Sequence, residues 1–255
     1  MMANFSVYSD FFVMAFIGLI PARYASTRFP GKPLAMIAGK PMIQHVYEQA
    51  LTANLQQVAV ATDDERIRQA VENFGGRVIM TADTHRSGTD RCGEAAAKLQ
   101  LSDNDIVVNI QGDEPFIRNI EINLLAKQFQ NPETQIATLV KKVAPDEDPQ
   151  NPNMVKVVFS QTGQALYFSR HSIPFHRERD FHGDYFKHIG IYAYRYPVLK
   201  QLVKLPASDL ENAEKLEQLR WLENGYRISV AECFHENVAV DTPEDLERIL
   251  KLLDK

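Results

Sequence analysis

Arg23, Arg28 and Lys32 lie close together in IPARYASTRFPGKPL, among small residues and Pro21, Pro30, Gly31 and Pro33. Small residues let backbone N–H groups approach phosphate oxygens, while Arg and Lys supply charge and forked donors. That chemistry suits a triphosphate better than a neutral metabolite. A complementary acid stands far along the chain, where DIVVNI runs into QGDEP and Asp113. A carboxylate at the ligand edge of a sheet suits Mg2+, a hard cation that takes one or two carboxylates together with phosphate oxygens. The basic loop and Asp113 therefore read as two halves of a metal-triphosphate site.

Two further stretches carry polar chemistry. In HRSGTDR, Ser87, Gly88 and Thr89 offer two hydroxyls and a bare backbone ahead of a helix. By composition they are an N-terminal cap; they also have the groups to read the edge of a base. SRHSIPFHRER concentrates Arg170, His171, His176, Arg177 and Arg179. Such a run is commonly a solvated loop, although an Arg within it suits two-point binding of a carboxylate. The standard glycine-rich templates fail, because Gly31-Lys32 is followed by Pro33 and no G-x-G-x-x-G follows a strand.

These residues need a scaffold that places them at one edge. The apolar run ahead of Arg23 predicts a buried strand opening into the basic loop. Ile43, Val46, Tyr47, Ala50 and Leu51 have helical spacing; Gln57 to Ala61 predicts a strand; Ile67, Ala70, Val71 and Phe74 stripe a helix that Gly75-Gly76 ends. Strands follow at Arg77 to Met80, Asp105 to Ile110 and Ile136 to Val143. The alternation predicts parallel βαβ units and a doubly wound α/β sheet, whose ligands sit outside the carboxyl ends of its strands. Val155 to Phe159 and Ala165 to Phe168 flank a turn and predict a hairpin, so the topology changes there. One helix is expected between Asn212 and Asn224, with Glu214, Glu217, Gln218 and Trp221 on one face. A short strand is expected ahead of the AVDTPEDL segment, whose Thr242 and Asp245 fit a capping box on the last helix.

The chain has 255 residues, 45% hydrophobic and 24% charged, enough for one large α/β domain. A formal net charge of −5 argues against general binding to nucleic acid or anionic membrane surfaces, so any positive site must be focused. Cys92 and Cys233 lack metal-ligand or C-x-x-C spacing and read as reduced thiols of a cytoplasmic protein. Phe11 to Ile20 is too short to span a bilayer as a helix.

The loop, together with QGDEP, HIGIYAYR, EKLEQLR and VDTPEDL, resembles the 3-deoxy-manno-octulosonate (Kdo) cytidylyltransferases, the CMP-Kdo synthetase family. The resemblance runs from about Phe16 to Leu253 and leaves residues 1–13 as a tail or an upstream start assignment ahead of Met14. It implies a mostly parallel mixed sheet of the nucleotide-diphospho-sugar transferase type, in one domain over 14–255. A small substrate-binding and dimerisation subdomain would be inserted at about 152–196. It implies CTP and Kdo as substrates, Mg2+ as cofactor, a role in lipopolysaccharide biosynthesis, and a homodimer with no membrane insertion. Residue by residue, it implies nucleotide contacts from Ala22, Arg23, Arg28, Lys32, Gly88 and Gln111, with Ser87 and Thr89 at the cytosine. It implies sugar-acid contacts from Gln111, Arg170, His188, Tyr194, Glu217 and Gln218, and makes Asp241 the second metal carboxylate beside Asp113. Arg23, Lys32, Asp113 and Asp241 are the expected catalytic set. By residues alone, another nucleotidyltransferase or a nucleotide-sensing module without turnover uses the same loop.

Overall fold

Strand β1 (Phe16–Ala22) divides its side chains between two cores, sending Ile20 and Ala22 to one and Ile17 and Leu19 to the other. Both faces of the strand are covered, which is why it reads as a near-continuous apolar run instead of alternating with polar residues. The computed structural model describes residues 14–26, 29–178, 183–235, 240 and 242–253, so residues 1–13 lie outside the described set.

After β1 the chain forms a small separate hairpin, β2 (Met36–Ile37) and β3 (Lys40–Pro41), and then α1 (Met42–Leu51). Strand β4 (Gln57–Thr62) returns parallel to β1. Helix α2 (Glu65–Asn73) starts where the Asp64 carboxylate accepts from the Arg66 N–H, and Gly75 follows its end at φ 78°. Strand β5 (Val78–Met80) joins β4, and α3 (Gly88–Lys98) leads to β6 (Ile106–Asn109), parallel to β1 on its other side. Asp105 ties the two strand entrances together, accepting from the N–H groups of Ala15 at 3.3 Å and Ser102 at 2.8 Å.

Helix α4 (Asn119–Gln128) precedes β7 (Ile136–Lys142), and the expected hairpin forms as β8 (Lys156–Phe159) and β9 (Ala165–Ser169). Strand β10 (Phe186–Arg195) then enters the main sheet antiparallel between β6 and β7. The segment expected as an insert at 152–196 therefore contributes a central strand, with only its hairpin standing off the main path. After α5 (Tyr196–Leu202), α6 (Asp209–Glu214) and α7 (Glu217–Glu223), strand β11 (Ile228–Glu232) closes the edge parallel to β7, and α8 (Pro243–Leu253) ends the chain. The main order is β11-β7-β10-β6-β1-β4-β5, a mixed, mostly parallel sheet. Side chains of α1, α2 and α4 fill the core on one face, and those of α3, α5 and α7 fill the other, which makes the sheet doubly wound.

One expected element is corrected. The single helix between Asn212 and Asn224 is two helices, broken where Lys215 takes the left-handed conformation at φ 54° and Leu216 is extended. The break lets Leu216 enter the core, and its benefit exceeds the cost of one residue in left-handed backbone. The face expected to be polar is largely withdrawn from water: Gln218 and Trp221 are buried, and Glu214 accepts from Ser169 Oγ at 2.6 Å. At α8 the expected capping box is present, with the Asp245 N–H 3.3 Å from Thr242 Oγ1 and the Thr242 N–H 3.0 Å from Asp245 Oδ2. Among the described residues no helix is long and apolar enough to cross a membrane, and Cys92 and Cys233 are buried free thiols.

Candidate active site

The loop leaving β1 folds back on itself at Tyr24, whose carbonyl accepts from the Ser26 N–H at 3.0 Å and the Gly31 N–H at 2.9 Å. Gly31 has φ 72°, and a Cβ there would meet the Tyr24 ring at 3.0 Å, so both backbone and space call for glycine. The other side of that ring carries the Arg66 guanidinium, 3.2 Å from its centroid. A single 3-10 turn (Lys32–Leu34) follows and buries Pro33. It directs Lys32 across the carboxyl edge of the sheet, where Nζ lies 2.7 Å from Asp113 Oδ2.

Asp113 arrives from the end of β6 by a close approach of two backbones. A Cβ on Gly112 would stand 3.0 Å from the Pro21 carbonyl oxygen, so a larger residue would push the two strand ends apart. The Asp113 carbonyl is held in turn by the Val240 N–H at 2.9 Å. The cleft between these ends has a volume of about 300 Å³ and is lined by Ala22, Arg23, Lys32, Ser87, Gly88, Gln111 and Asp113, seven of the residues singled out from sequence. Arg23 is exposed, and Gln111 donates from Nε2 to Asn109 Oδ1 at 3.3 Å. Arg28 and Asp241 lie outside the described residues.

The Ser-Gly-Thr turn is a helix cap, as its composition predicts. Ser87 Oγ accepts from the Asp90 N–H at 3.0 Å, and the Asp90 carboxylate accepts from the Ser87 N–H at 3.3 Å. Thr89 faces away from the cleft, is buried, and donates to Glu217 Oε2 at 2.8 Å. Burial pushes the Glu217 carboxyl above its usual range, against the hydroxyls of Thr89 and Ser87 and the charge of Arg220. Arg220 Nη2 lies 3.2 Å from Glu217 Oε1 and 2.9 Å from Glu211 Oε1.

The other residues expected at the sugar acid are not gathered into this cleft. Arg170 borders a separate cavity of about 520 Å³, and its guanidinium donates to the carbonyls of Glu214 at 2.7 Å, Pro152 at 2.9 Å and Lys215 at 3.4 Å. His188 shares a hydrogen bond of 3.0 Å with Thr138 Oγ1 and lies against the Phe168 and Tyr192 rings. His188 is half-buried, yet the aromatic rings packed on it keep its surroundings largely apolar, and burial lowers its pKa to about 3, so it is neutral. Tyr194 is fully buried with its ring edge-on to Trp221, and Gln218 is buried on α7 about one turn before Trp221. Glu217 borders a larger groove of about 970 Å³ between α3 and the α5–α6 region, which shares His85, Arg86 and Ser87 with the smaller cleft. The smaller cleft is the better candidate for chemistry, because it holds the Lys32–Asp113 pair at the carboxyl ends of β1 and β6.

The sequence pattern of the family described as Cytidylyltransferase matches residues 17–228. The 3-deoxy-manno-octulosonate cytidylyltransferase of Parabacteroides distasonis is 54% identical, over 94% of this chain and 99% of that one. This chain belongs to the 3-deoxy-manno-octulosonate cytidylyltransferase family. Its namesake in Thermodesulfovibrio yellowstonii is 50% identical over the same share of each chain. A solved CMP:2-keto-3-deoxy-manno-octonic acid synthetase, complexed with CTP, superposes with a TM-score of 0.88 at 46% identity, covering 94% of this chain and 98% of that one. The 4-diphosphocytidyl-2C-methyl-D-erythritol synthase of Anaerococcus prevotii shares the fold at a TM-score of 0.60 and 13% identity. The chain is thus a nucleotidyltransferase by family and by fold.

Within this member of the Kdo cytidylyltransferase family, His85, Arg86 and Arg91 also line the cleft without having been assigned a role from sequence. Arg91 is 3% exposed, donates to Thr81 Oγ1 at 2.5 Å and approaches Asp63 Oδ1 at 3.3 Å. The available signal was the pair of arginines flanking Ser-Gly-Thr in HRSGTDR. Their positions around the first turn of α3 put them at the same edge as the β1 loop.

Proposed function

We propose that this chain transfers CMP from CTP to the anomeric hydroxyl of Kdo, releasing diphosphate and forming CMP-Kdo for lipopolysaccharide biosynthesis in the cytoplasm. The observation that carries this reading is the Lys32–Asp113 pair at 2.7 Å in the β1/β6 cleft of a chain 46% identical to a CTP-bound synthetase.

Arg23, Arg28 and Lys32 would hold the triphosphate, with Ala22, Gly88 and Gln111 fitting the backbone and ribose and Ser87 and Thr89 framing the cytosine. Thr89 acts from behind that turn, since its hydroxyl is already given to Glu217. Gln111 reaches from the cleft toward the acceptor side. Arg170 would take the Kdo carboxylate: a guanidinium carries five N–H donors, so three carbonyl bonds leave donors for it. Neutral His188, with Glu217 and Gln218, would orient the sugar hydroxyls, and Tyr194 would support them through the buried packing of β10 on α7. Positioning of this kind, with charge stabilisation, accounts for most catalysis in phosphoryl chemistry.

Cytidylyltransferases generally work with a divalent metal ion. Asp113 offers hard carboxylate oxygen at the phosphate cleft, the donor type that Mg2+ takes. Among the described residues no group of three or more His, Cys, Asp or Glu is gathered as a metal cage, so the ion would be shared with phosphate oxygens. Asp113 and Asp241 are the residues proposed to hold Mg2+; Asp241 follows Val240, whose N–H is bonded to the Asp113 carbonyl. Bound there, the ion supplies neutralisation of phosphate charge and a lowered pKa for the attacking hydroxyl. We also propose a homodimer through the segment after Arg170, where Phe175 is 83% exposed; sedimentation of the purified chain tests it.

The deciding experiment is diphosphate release from CTP and Mg2+, with and without Kdo, for the wild type and Asp113→Ala. Kdo-dependent release that the substitution abolishes is expected. Release only with another sugar acid overturns the acceptor, and CTP binding with no release for any acceptor overturns turnover itself.

A further inference from the structure

Glu217 stands at a junction of three elements. From α3, Thr89 donates to its Oε2 at 2.8 Å; from α7 itself, Arg220 donates to its Oε1 at 3.2 Å. Arg220 is fixed independently of Glu217. Its Nη1 donates to the Leu205 carbonyl at 3.0 Å and its Nη2 to Glu211 Oε1 at 2.9 Å, with only 11% of the side chain exposed. The guanidinium is therefore anchored to the α5–α6 connection and to α6, and from there it sets the carboxylate of Glu217.

That carboxylate touches the first turn of α3, whose Ser87 and Gly88 line the β1/β6 cleft. A carboxylate offers about four acceptor positions, so one bond to each oxygen leaves room for hydroxyl donors from an acceptor substrate. One partly buried group thus reaches the turn proposed to frame the base and remains open toward the acceptor. We infer that Arg220 is a positioning residue for both substrates, acting through Glu217 on the Ser87–Thr89 turn and on the sugar acid. This rests on the CTP and Kdo reading proposed above.

The geometry separates this role from simple cohesion of α7. Leu216, Leu219 and Trp221 already bury that helix in the core, so Arg220 is not needed to attach it. Removing the guanidinium leaves Glu217 partly buried near Asp90 of α3 without the Arg220 charge that holds it, and frees the carboxylate to turn. The Thr89 bond and the acceptor contact then loosen together.

The test uses Arg220→Met, Arg220→Lys, Thr89→Val and the double variant Arg220→Met/Thr89→Val in the full chain. KM for CTP, KM for Kdo and kcat are measured separately, with thermal midpoints alongside. Loss of a buried charged hydrogen bond predicts about a tenfold rise in each KM for Arg220→Met, with kcat changing less. Arg220→Lys should recover much of both, and the double variant should be little worse than the poorer single one, because both lie in one chain of contacts. A lowered midpoint with both KM values unchanged overturns the proposal, as do fully additive effects in the double variant. If Arg220→Met does not fold, Arg220→Lys and Thr89→Val still decide through the same two KM values. Failure of the underlying reading shows separately, as wild-type protein that releases no diphosphate from CTP with Kdo.

Discussion

Lys32 and Asp113 are 81 positions apart in sequence, and their charged groups meet at 2.7 Å where β1 and β6 end. The pair is partly exposed, with 14% and 30% of the two side chains accessible, so its contribution to stability is at most about 1 kcal/mol. Its value lies in holding a cation and an anion together at the cleft proposed for the triphosphate. Asp113→Asn should therefore fold with a nearly unchanged thermal midpoint, yet lose about a thousandfold or more in kcat for Kdo-dependent diphosphate release. Melting and turnover measured on the same preparation check both halves.

Chelation should separate the metal from the fold in the same way. Lys32 already balances Asp113 without any ion. Excess EDTA is expected to stop diphosphate release while moving the thermal midpoint of the nucleotide-free protein by only a degree or two, and added Mg2+ should restore turnover. A large fall in the midpoint on chelation would show that a metal stabilises the free fold.

His188 makes stability depend on pH. A free histidine titrates near 6.5, whereas burial lowers His188 to about 3. The unfolded chain therefore binds an extra proton between those values. This group's contribution is complete above pH 6.5 and is lost as pH falls toward 3. The urea midpoint should drop between pH 7.5 and 5, and His188→Asn should flatten that part of the curve even if its absolute stability is lower.

Lys156 is buried, and its ammonium donates to the carbonyls of Asn151 at 2.9 Å, Met154 at 2.6 Å and Arg170 at 2.5 Å. Lys156→Met keeps the stem and strands these acceptors. Leaving buried carbonyls unpaired costs about 1–3 kcal/mol each where water cannot replace the donor. A loss of several degrees in the thermal midpoint is expected, with a raised KM for Kdo because Arg170 shares the clasp. An unchanged midpoint would mean that water replaces the ammonium.

Gly112→Ala tests the approach of the two strand ends. Its Cβ would lie 3.0 Å from the Pro21 carbonyl oxygen, a backbone atom with little freedom to yield. Overpacking of this kind costs about 1–3 kcal/mol. The expected result is a lower midpoint and a higher KM for CTP, read by melting and initial rates.

Much of this arrangement was legible in the sequence. β1 and β6 announced themselves as apolar runs ending in charge, and the caps at Asp64, Ser87 and Thr242 followed from side chains that bond N–H groups two or three residues away. Such local signals survive folding. The break at Lys215 did not show, because a left-handed lysine is selected only by the burial of Leu216 on a distant sheet. Nor did the insertion of β10 between β6 and β7, since strand order is set by pairing partners far along the chain. The burial of Thr89 was hidden for the same reason: its partner, Glu217, lies 128 positions away.

Ile37 and Met42, just beyond the basic loop, share a small cluster with Val240 and Ile249 near the end of the described chain. During synthesis, the loop emerges from the ribosome about two hundred residues before the helix that braces it. The half of the cleft that carries the basic loop thus has no brace until α8 has been made. A polypeptide cut or stalled before α8 would carry every residue of the basic loop and still lack its brace, so the loop and that distant helix take their final packing together.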